Sequence, residues 1–166
     1  MKNRTKNLAF AGITAGLYIV LTLISNAFGL ASGVVQVRLS EALTVLPFFT
    51  AAAIPGLSVG CFLANVLTGC NILDIMFGTL ATALGAIGTH YLAKATKKKG
   101  TFLCTLPPVC SNMIIIPLVL KYAYGFPNRF LTLMLFVGIG EVVSCCLLGL
   151  ILLYALKKND SLQNGL

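Results

Sequence analysis

The sequence predicts an all-α integral membrane protein: one bundle of six transmembrane helices with both termini on the cytoplasmic side. The first indication is charge scarcity. Of 166 residues, 58% are hydrophobic and only 10% are charged, where soluble domains carry about a quarter charged residues. The acidic side chains can be named individually, as Glu41, Asp74, Glu141 and Asp160. So few charges do not cover a soluble globule of this size, but they suit a chain whose lateral surface faces lipid. The second indication is where the basic residues fall. Lys2, Arg4 and Lys6 precede the first apolar segment, Lys94, Lys97, Lys98 and Lys99 lie between the fourth and fifth, and Lys157 and Lys158 follow the last. Only Arg38, Lys121 and Arg129 occupy the other connections. Such asymmetry marks the lysine-rich side as cytoplasmic. It also argues against nucleic-acid binding despite the net charge of +8, because the basic residues do not gather on one face or along one helix.

The spans follow in order. The first covers 8–27 and leads into a loop marked by Gly29 and Gly33. Basic residues before an apolar run resemble a signal peptide, but this run is too long for a signal core and continues into more apolar segments. The second covers 39–53, interrupted by Pro47 and closed by Pro55-Gly56, and the third covers 57–68. Each of these two reaches only about 20 Å, short of the roughly 30 Å hydrocarbon core. They are therefore tilted full spans or one re-entrant hairpin, and either keeps both termini on one side. The fourth covers 74–95, the fifth 102–122 and the sixth 130–156. No repeat or linker divides the chain, so 1–166 is one domain.

Span 1 carries Ala11/Ala15 and Gly12/Gly16, small residues spaced four apart on neighbouring strips of one helix face. Such a face admits another helix closely, since association in lipid relies on packing. Either a helix of the same bundle or a separate membrane protein can occupy it. Span 4 has a similar texture in Gly78, Ala81, Thr82, Gly85 and Thr89, which reads as an internal packing face, with His90 near the helix end.

Polar residues that a bilayer should exclude are the candidates for ligand contact. Glu141 lies near the middle of span 6, where an ionised carboxylate costs roughly 2.5–3.5 kcal/mol. Its helical neighbours Gly138, Ser144 and Cys145 leave room beside it, and no Lys or Arg lies at comparable depth. Asn112 is in mid-span 5, where Pro107-Pro108 is expected to kink the helix and free carbonyls. Asn65 in span 3 reads in the same way. Glu41 and Asp74 each open a helix, where a carboxylate also meets the macrodipole. Ser40-Glu41 resembles an N-terminal cap, with Arg38 placed to pair with Glu41. Together the three acids suit a cation or a heterocycle presenting N–H donors.

The six cysteines form no CxxC pair and no histidine lies at metal spacing, so they read as packing residues, with neither metal nor cofactor expected. Phosphate-loop, HExxH and GxSxG motifs are absent, as is any Ser/His/Asp set, so the chain does not read as an enzyme. A bundle this small can hold a ligand, but carrying one across calls for a partner.

The segment Gln36-Val37-Arg38-Leu39-Ser40-Glu41-Ala42-Leu43, followed by Leu46-Pro47-Phe48-Phe49, resembles the QueT family of membrane proteins. So do Ile54-Pro55-Gly56 with Gly60-Cys61 and Asn65, and Leu73-Asp74-Ile75 with Phe77-Gly78-Thr79 and Ala81-Thr82. The likeness covers nearly the whole chain. It implies a substrate-binding S-component of an energy-coupling factor (ECF) ABC importer in a bacterial cytoplasmic membrane. The ligand implied is a queuosine precursor, 7-aminomethyl-7-deazaguanine or queuine. The partners implied are a transmembrane coupling protein, which an AxxxA face matching Ala11 and Ala15 would meet, and two cytoplasmic ATPases. Uptake would proceed by toppling of the S-component in the membrane. Glu141, Asp74 and Glu41 are then candidates for the N–H edge and the aminomethyl cation of the ligand. Asn65 and Asn112 are candidates for its carbonyl and ring nitrogen, and Arg38 for orienting Glu41 or latching the loop after span 1. An S-component for another small cationic heterocycle and a stand-alone carrier stay open.

Overall fold

In the computed structural model, which describes residues 2–31 and 35–158, the chain is helical throughout its regular elements. Helix α1 runs Lys2–Ala27, followed by a 3₁₀ helix Leu39–Phe48, α2 Ala53–Leu67, α3 Ile72–Ala95 and a 3₁₀ turn Leu103–Thr105. Helix α4 is Leu106–Tyr122, and α5 Phe130–Glu141, a π-helical segment Val142–Leu148 and α6 Gly149–Lys157 form one continuous rod. Among the described residues, four helical stretches are long and apolar enough to cross a membrane: 4–27, 72–95, 103–122 and 130–157. The 3₁₀ helix and α2 are shorter. Gly29 takes the left-handed turn after α1, while Gly33 lies outside the described residues.

The short 3₁₀ helix occupies the middle of the bundle. It packs against α1, α2, α3, the π segment and α6, and Ser40, Glu41, Ala42, Leu43, Thr44, Val45, Pro47 and Phe48 are all buried. A long 3₁₀ helix has poorer hydrogen-bond geometry than an α-helix, and it is tolerated at membrane depth where protein surrounds it. Its start is not capped by Ser40-Glu41. The Leu39 N–H is instead satisfied by Ser25 Oγ of α1 at 2.9 Å, and Ser40 Oγ accepts from Thr22 at 2.8 Å. At its far end, His90 Nδ1 lies 2.9 Å from the Pro47 carbonyl oxygen.

Two proline expectations are corrected. Pro55-Gly56 does not close the second element; it lies in the first turn of α2, where the missing proline N–H has no partner to lose. Likewise Pro107 and Pro108 stand at the start of α4 and produce no mid-span kink. One carbonyl they free is used: Cys104 O, which Pro108 cannot bond, accepts from Thr89 Oγ1 of α3 at 2.9 Å. The proline inside α4 is Pro117, five residues beyond Asn112.

Close helix approach depends on missing side chains. A Cβ on Gly56 would sit 2.5 Å from Ala11 O, and one on Gly60 would sit 3.0 Å from Ala15 Cα. Ala11 and Ala15 therefore face Gly56 and Gly60 of α2 inside the bundle, a small-residue crossing of the kind lipid-embedded helices use. Gly12 and Gly16 instead have nothing within 4 Å. The face read on α3 is a packing face: Ala81, Thr82 and Thr89 are buried, and a Cβ on Gly85 would meet Pro108 Cα of α4 at 2.6 Å.

Candidate functional site

Because the 3₁₀ helix is central, its first turn delivers Glu41 into the interior, where the residue is only 2% exposed. Glu41 Oε1 accepts from the Tyr18 hydroxyl of α1 and, at 3.4 Å, from Thr82 Oγ1 of α3. Its second oxygen, Oε2, is buried without a hydrogen-bond partner. Glu141 comes from the opposite side, at the junction of α5 and the π segment. Widened turns of this kind often occur at functional sites, since one extra residue per turn re-aims the side chains around it. Glu141 Oε2 accepts from Cys145 Sγ, one turn further on, at 3.2 Å. Asn112 of α4 completes a small pocket shared with Glu41, Glu141, Thr82, Gly78 and Gln36. Its free volume is about 10 Å³, enough for about one water molecule.

Arg38 separates this inner pocket from a larger outer one. The outer cavity holds about 280 Å³ and is lined by Asn26, Gln36, Arg38, Asp74, Tyr124 and Phe126 among others. Gln36 and Arg38 line both. One guanidinium nitrogen of Arg38 donates to Asn65 Oδ1 at 3.1 Å, and the other lies 3.8 Å from Asp74 Oδ2. Arg38 Nε is buried without a partner. The expectation that no basic residue reaches the depth of the acids is therefore corrected. The loop after α1 folds back over the bundle and carries its cation inward, a path that periodicity along a single helix does not reveal. Arg38 pairs with Asp74 and not with Glu41.

Asp74 sits in the first turn of α3, whose cap is the Asn71 side chain accepting from Leu73 N. Its Oδ2 also accepts from the Tyr124 hydroxyl at 3.1 Å, and that hydroxyl accepts from Asn71 N at 3.1 Å. Burial, with the Asp74 carboxylate adding to it, pushes the Tyr124 hydroxyl up to about 12, so it stays a donor at ordinary pH. A Cβ on Gly78 would come within 3.2 Å of Asn65 Nδ2 and 3.3 Å of Asp74 Oδ1. Only a residue without a side chain admits both polar groups at that level.

All six polar residues singled out from the sequence thus fall in two touching compartments: Glu41, Glu141 and Asn112 in the inner one, Asp74 and Asn65 around Arg38 at the outer one. Tyr18, Thr82, Cys145, Gln36 and Tyr124 belong to the same region and were missed. Tyr18 continues the Ala11, Ala15 face at i, i+4, i+7, and Cys145 is one turn from Glu141, so helical spacing held a signal for both. Among the described residues, Glu41, Glu141 and Cys145 also bring ligand atoms within 4.8 Å of one another, a set able to take a cation.

The comparisons follow the same lines. The model of the QueT transporter family matches residues 8–158. A curated relative, the queuosine precursor transporter QueT of Lactococcus lactis subsp. cremoris (strain MG1363), is 31% identical over 81 residues, covering 49% of this chain and 47% of that protein. The matched segment thus spans about half the length of either. No solved structure matches. With the family model covering nearly the full bundle, this multi-pass chain belongs to the QueT transporter family.

Proposed function

We propose that the protein is the substrate-binding S-component of an ECF-type importer and takes up a queuosine precursor, 7-aminomethyl-7-deazaguanine or queuine. In this reading all six helical segments traverse the bilayer, both termini are cytoplasmic, and a coupling protein with two ATPases drives the toppling that exposes the ligand inside. The observation that carries the ligand assignment is Glu41 Oε2, buried beside Glu141 without a hydrogen bond, with no basic side chain among the described residues within ion-pair distance of either acid. A deazaguanine presents a ring N–H and an exocyclic amine on one edge, and a carboxylate accepts both. The aminomethyl cation matches a second carboxylate, with Asp74 in the outer cavity the nearest alternative to Glu141.

The inner pocket is too small for a heterocycle, whereas the outer cavity approaches the ~300 Å³ lower bound of ligand pockets. The base enters through the outer cavity and displaces Arg38 or Gln36 to reach Glu41. The test is thermal stabilisation of detergent-purified protein by 7-aminomethyl-7-deazaguanine, queuine and guanine, since a ligand that binds only the folded state raises the melting temperature by mass action. A deazaguanine shift that Glu141→Gln abolishes supports the reading. A folded sample that no deazaguanine shifts refutes the ligand.

A further inference from the structure

The inner pocket brings together a donor set that a base does not fully use. Glu41 comes from the 3₁₀ helix, while Glu141 and Cys145 come from the junction of α5 and the π segment, so no spacing along the chain announces the set. One oxygen of each carboxylate and the Cys145 sulfur all lie within 4.8 Å of one another. All three residues are buried. The sulfur, read from the sequence as a packing group, stands 3.2 Å from Glu141 Oε2.

Surrounding groups hold these donors in place. Glu41 Oε1 accepts from the Tyr18 and Thr82 hydroxyls, which orients the carboxylate. Its Oε2, buried and without a hydrogen bond among the described residues, is left for a ligand. Thr44 Oγ1 donates to Cys145 Sγ at 3.6 Å. Outer partners of this kind orient the ligands of metal sites. The spacing suits a small ion. Zinc bonds run about 2.3 Å to sulfur and about 2.0–2.2 Å to carboxylate oxygen, so tetrahedral ligands stand about 3.3–3.7 Å apart. The Cys145–Glu141 pair is already near that separation, and with no pair beyond 4.8 Å no approach exceeds about 1.5 Å. The free volume of about 10 Å³ is room for one ion.

We propose that Glu41, Glu141 and Cys145 bind one borderline-soft divalent cation of the zinc class. Two carboxylates and a thiolate with a fourth position open match the ligand types and number that zinc takes. The two charges of the ion offset the two acids, removing the cost of holding them ionised at membrane depth. The thiol proton passes to water as sulfur binds the metal. Magnesium, which demands near-octahedral oxygen ligation, fits poorly. The metal site stands apart from the identity of the transported base. Because Glu41 and Glu141 are shared with the base-binding reading above, and resting on that reading, ion and base compete.

The test uses the full chain, detergent-purified, carrying Cys70→Ser and Cys110→Ser to remove the two cysteines that are not buried. Cadmium, a thiolate-binding stand-in for zinc, is titrated while its sulfur-to-metal charge-transfer band is followed in the ultraviolet. A band saturating at one equivalent is expected. Cys145→Ser should abolish it, while Cys146→Ser, whose sulfur instead lies 3.3 Å from Thr105 Oγ1, should retain it. Glu141→Gln should weaken the apparent affinity at least about tenfold, the loss that even an outer partner of a metal site produces, and it is the deciding variant if Cys145→Ser misfolds. The absence of a band, a band that survives Cys145→Ser, or full affinity in Glu141→Gln overturns the site, whatever the bases do. In a thermal-shift titration, saturating cadmium but not magnesium should reduce the shift given by 7-aminomethyl-7-deazaguanine. An undiminished shift overturns the competition and places the base elsewhere. A band that behaves as stated in a protein that no deazaguanine shifts supports the metal site and refutes the base.

Discussion

Adding one methyl group to Gly56 separates the two ways of reading the small residues of α1. An alanine Cβ there would lie 2.5 Å from Ala11 O, 2.9 Å from Thr14 Cβ and 3.0 Å from Ala11 Cα. Two of these neighbours are backbone atoms, so no rotamer change relieves the contact. Carbon atoms settle at about 3.5–4.0 Å, and α1 and α2 must therefore part by roughly 0.5–1 Å along their crossing. Overpacking of this kind costs about 1–3 kcal/mol. At about 2–4 °C per kcal/mol for a chain of this size, Gly56→Ala should melt several degrees below wild type. Gly16→Ala is the control: open space surrounds it, and alanine is favoured over glycine in a helix by about 0.5–1 kcal/mol, so it should melt at or slightly above wild type. The assay is the heat-induced exposure of the buried thiols Cys61, Cys104 and Cys145 to a thiol-reactive dye in detergent. If Gly56→Ala melts with Gly16→Ala, the two helices do not approach as described. The same pair bears on docking, because Gly12 and Gly16 remain open while Ala11 and Ala15 already face α2.

Three further outcomes follow from particular contacts. Thr89→Val leaves the Cys104 carbonyl buried without its donor and should destabilise by about 1–3 kcal/mol, while Thr89→Ser should retain most of the stability, both read by thermal melting. Tyr18→Phe removes one of the two donors to Glu41 Oε1; a drop in melting temperature together with a smaller deazaguanine shift is expected, and an unchanged ligand shift would remove Tyr18 from any role in orienting Glu41. For Tyr124 the hydroxyl titrates near 12 against an ordinary 10.0. A raised value in the folded state means that its contribution is complete below about pH 10 and is lost as pH rises through 12, so wild type should lose stability over that window faster than Tyr124→Phe.

Much of the polar site was legible because the membrane makes polar residues conspicuous: Glu41, Glu141 and Asn112 break the apolar pattern of their segments, and they meet in one pocket. The packing face of α3 was legible for the same reason, since small residues recur at helical spacing. The central 3₁₀ helix was not. Leu39–Phe48 is an apolar run too short for periodicity to separate an enclosed segment from a lipid-facing one, and only its neighbours on every side decide the matter. The prolines were misread through their boundaries. Pro107 and Pro108 in a helix interior would kink it, but a start at Leu106 makes them compatible, and the interior proline at 117 drew no attention because no polar residue adjoins it. Arg38 was singled out, but its depth and its pairing with Asp74 escaped because they depend on how a loop returns over the bundle.

The charge arrangement gives the ligand reading a consequence that a purely structural role does not share. Arg38 lines the inner pocket as well but makes its ion pair with Asp74, so among the described residues neither Glu41 nor Glu141 has a basic side chain within ion-pair distance, in a region where an ionised carboxylate costs roughly 2.5–3.5 kcal/mol. If either acid served the fold as half of a buried ion pair, neutralising it would strand its partner and destabilise by about 3–5 kcal/mol. Among the described residues Glu141 has no ion-pair partner, so Glu141→Gln, which keeps an oxygen for Cys145 Sγ, should melt no lower than wild type without ligand. With 7-aminomethyl-7-deazaguanine the order should reverse, because wild type gains stability by binding and the variant does not. Functional sites commonly show this inversion, since groups set to receive a charged ligand are unfavourable in its absence. A Glu141→Gln variant that melts far below wild type without ligand would instead make the carboxylate a structural group and move the search for the ligand contact to Asp74.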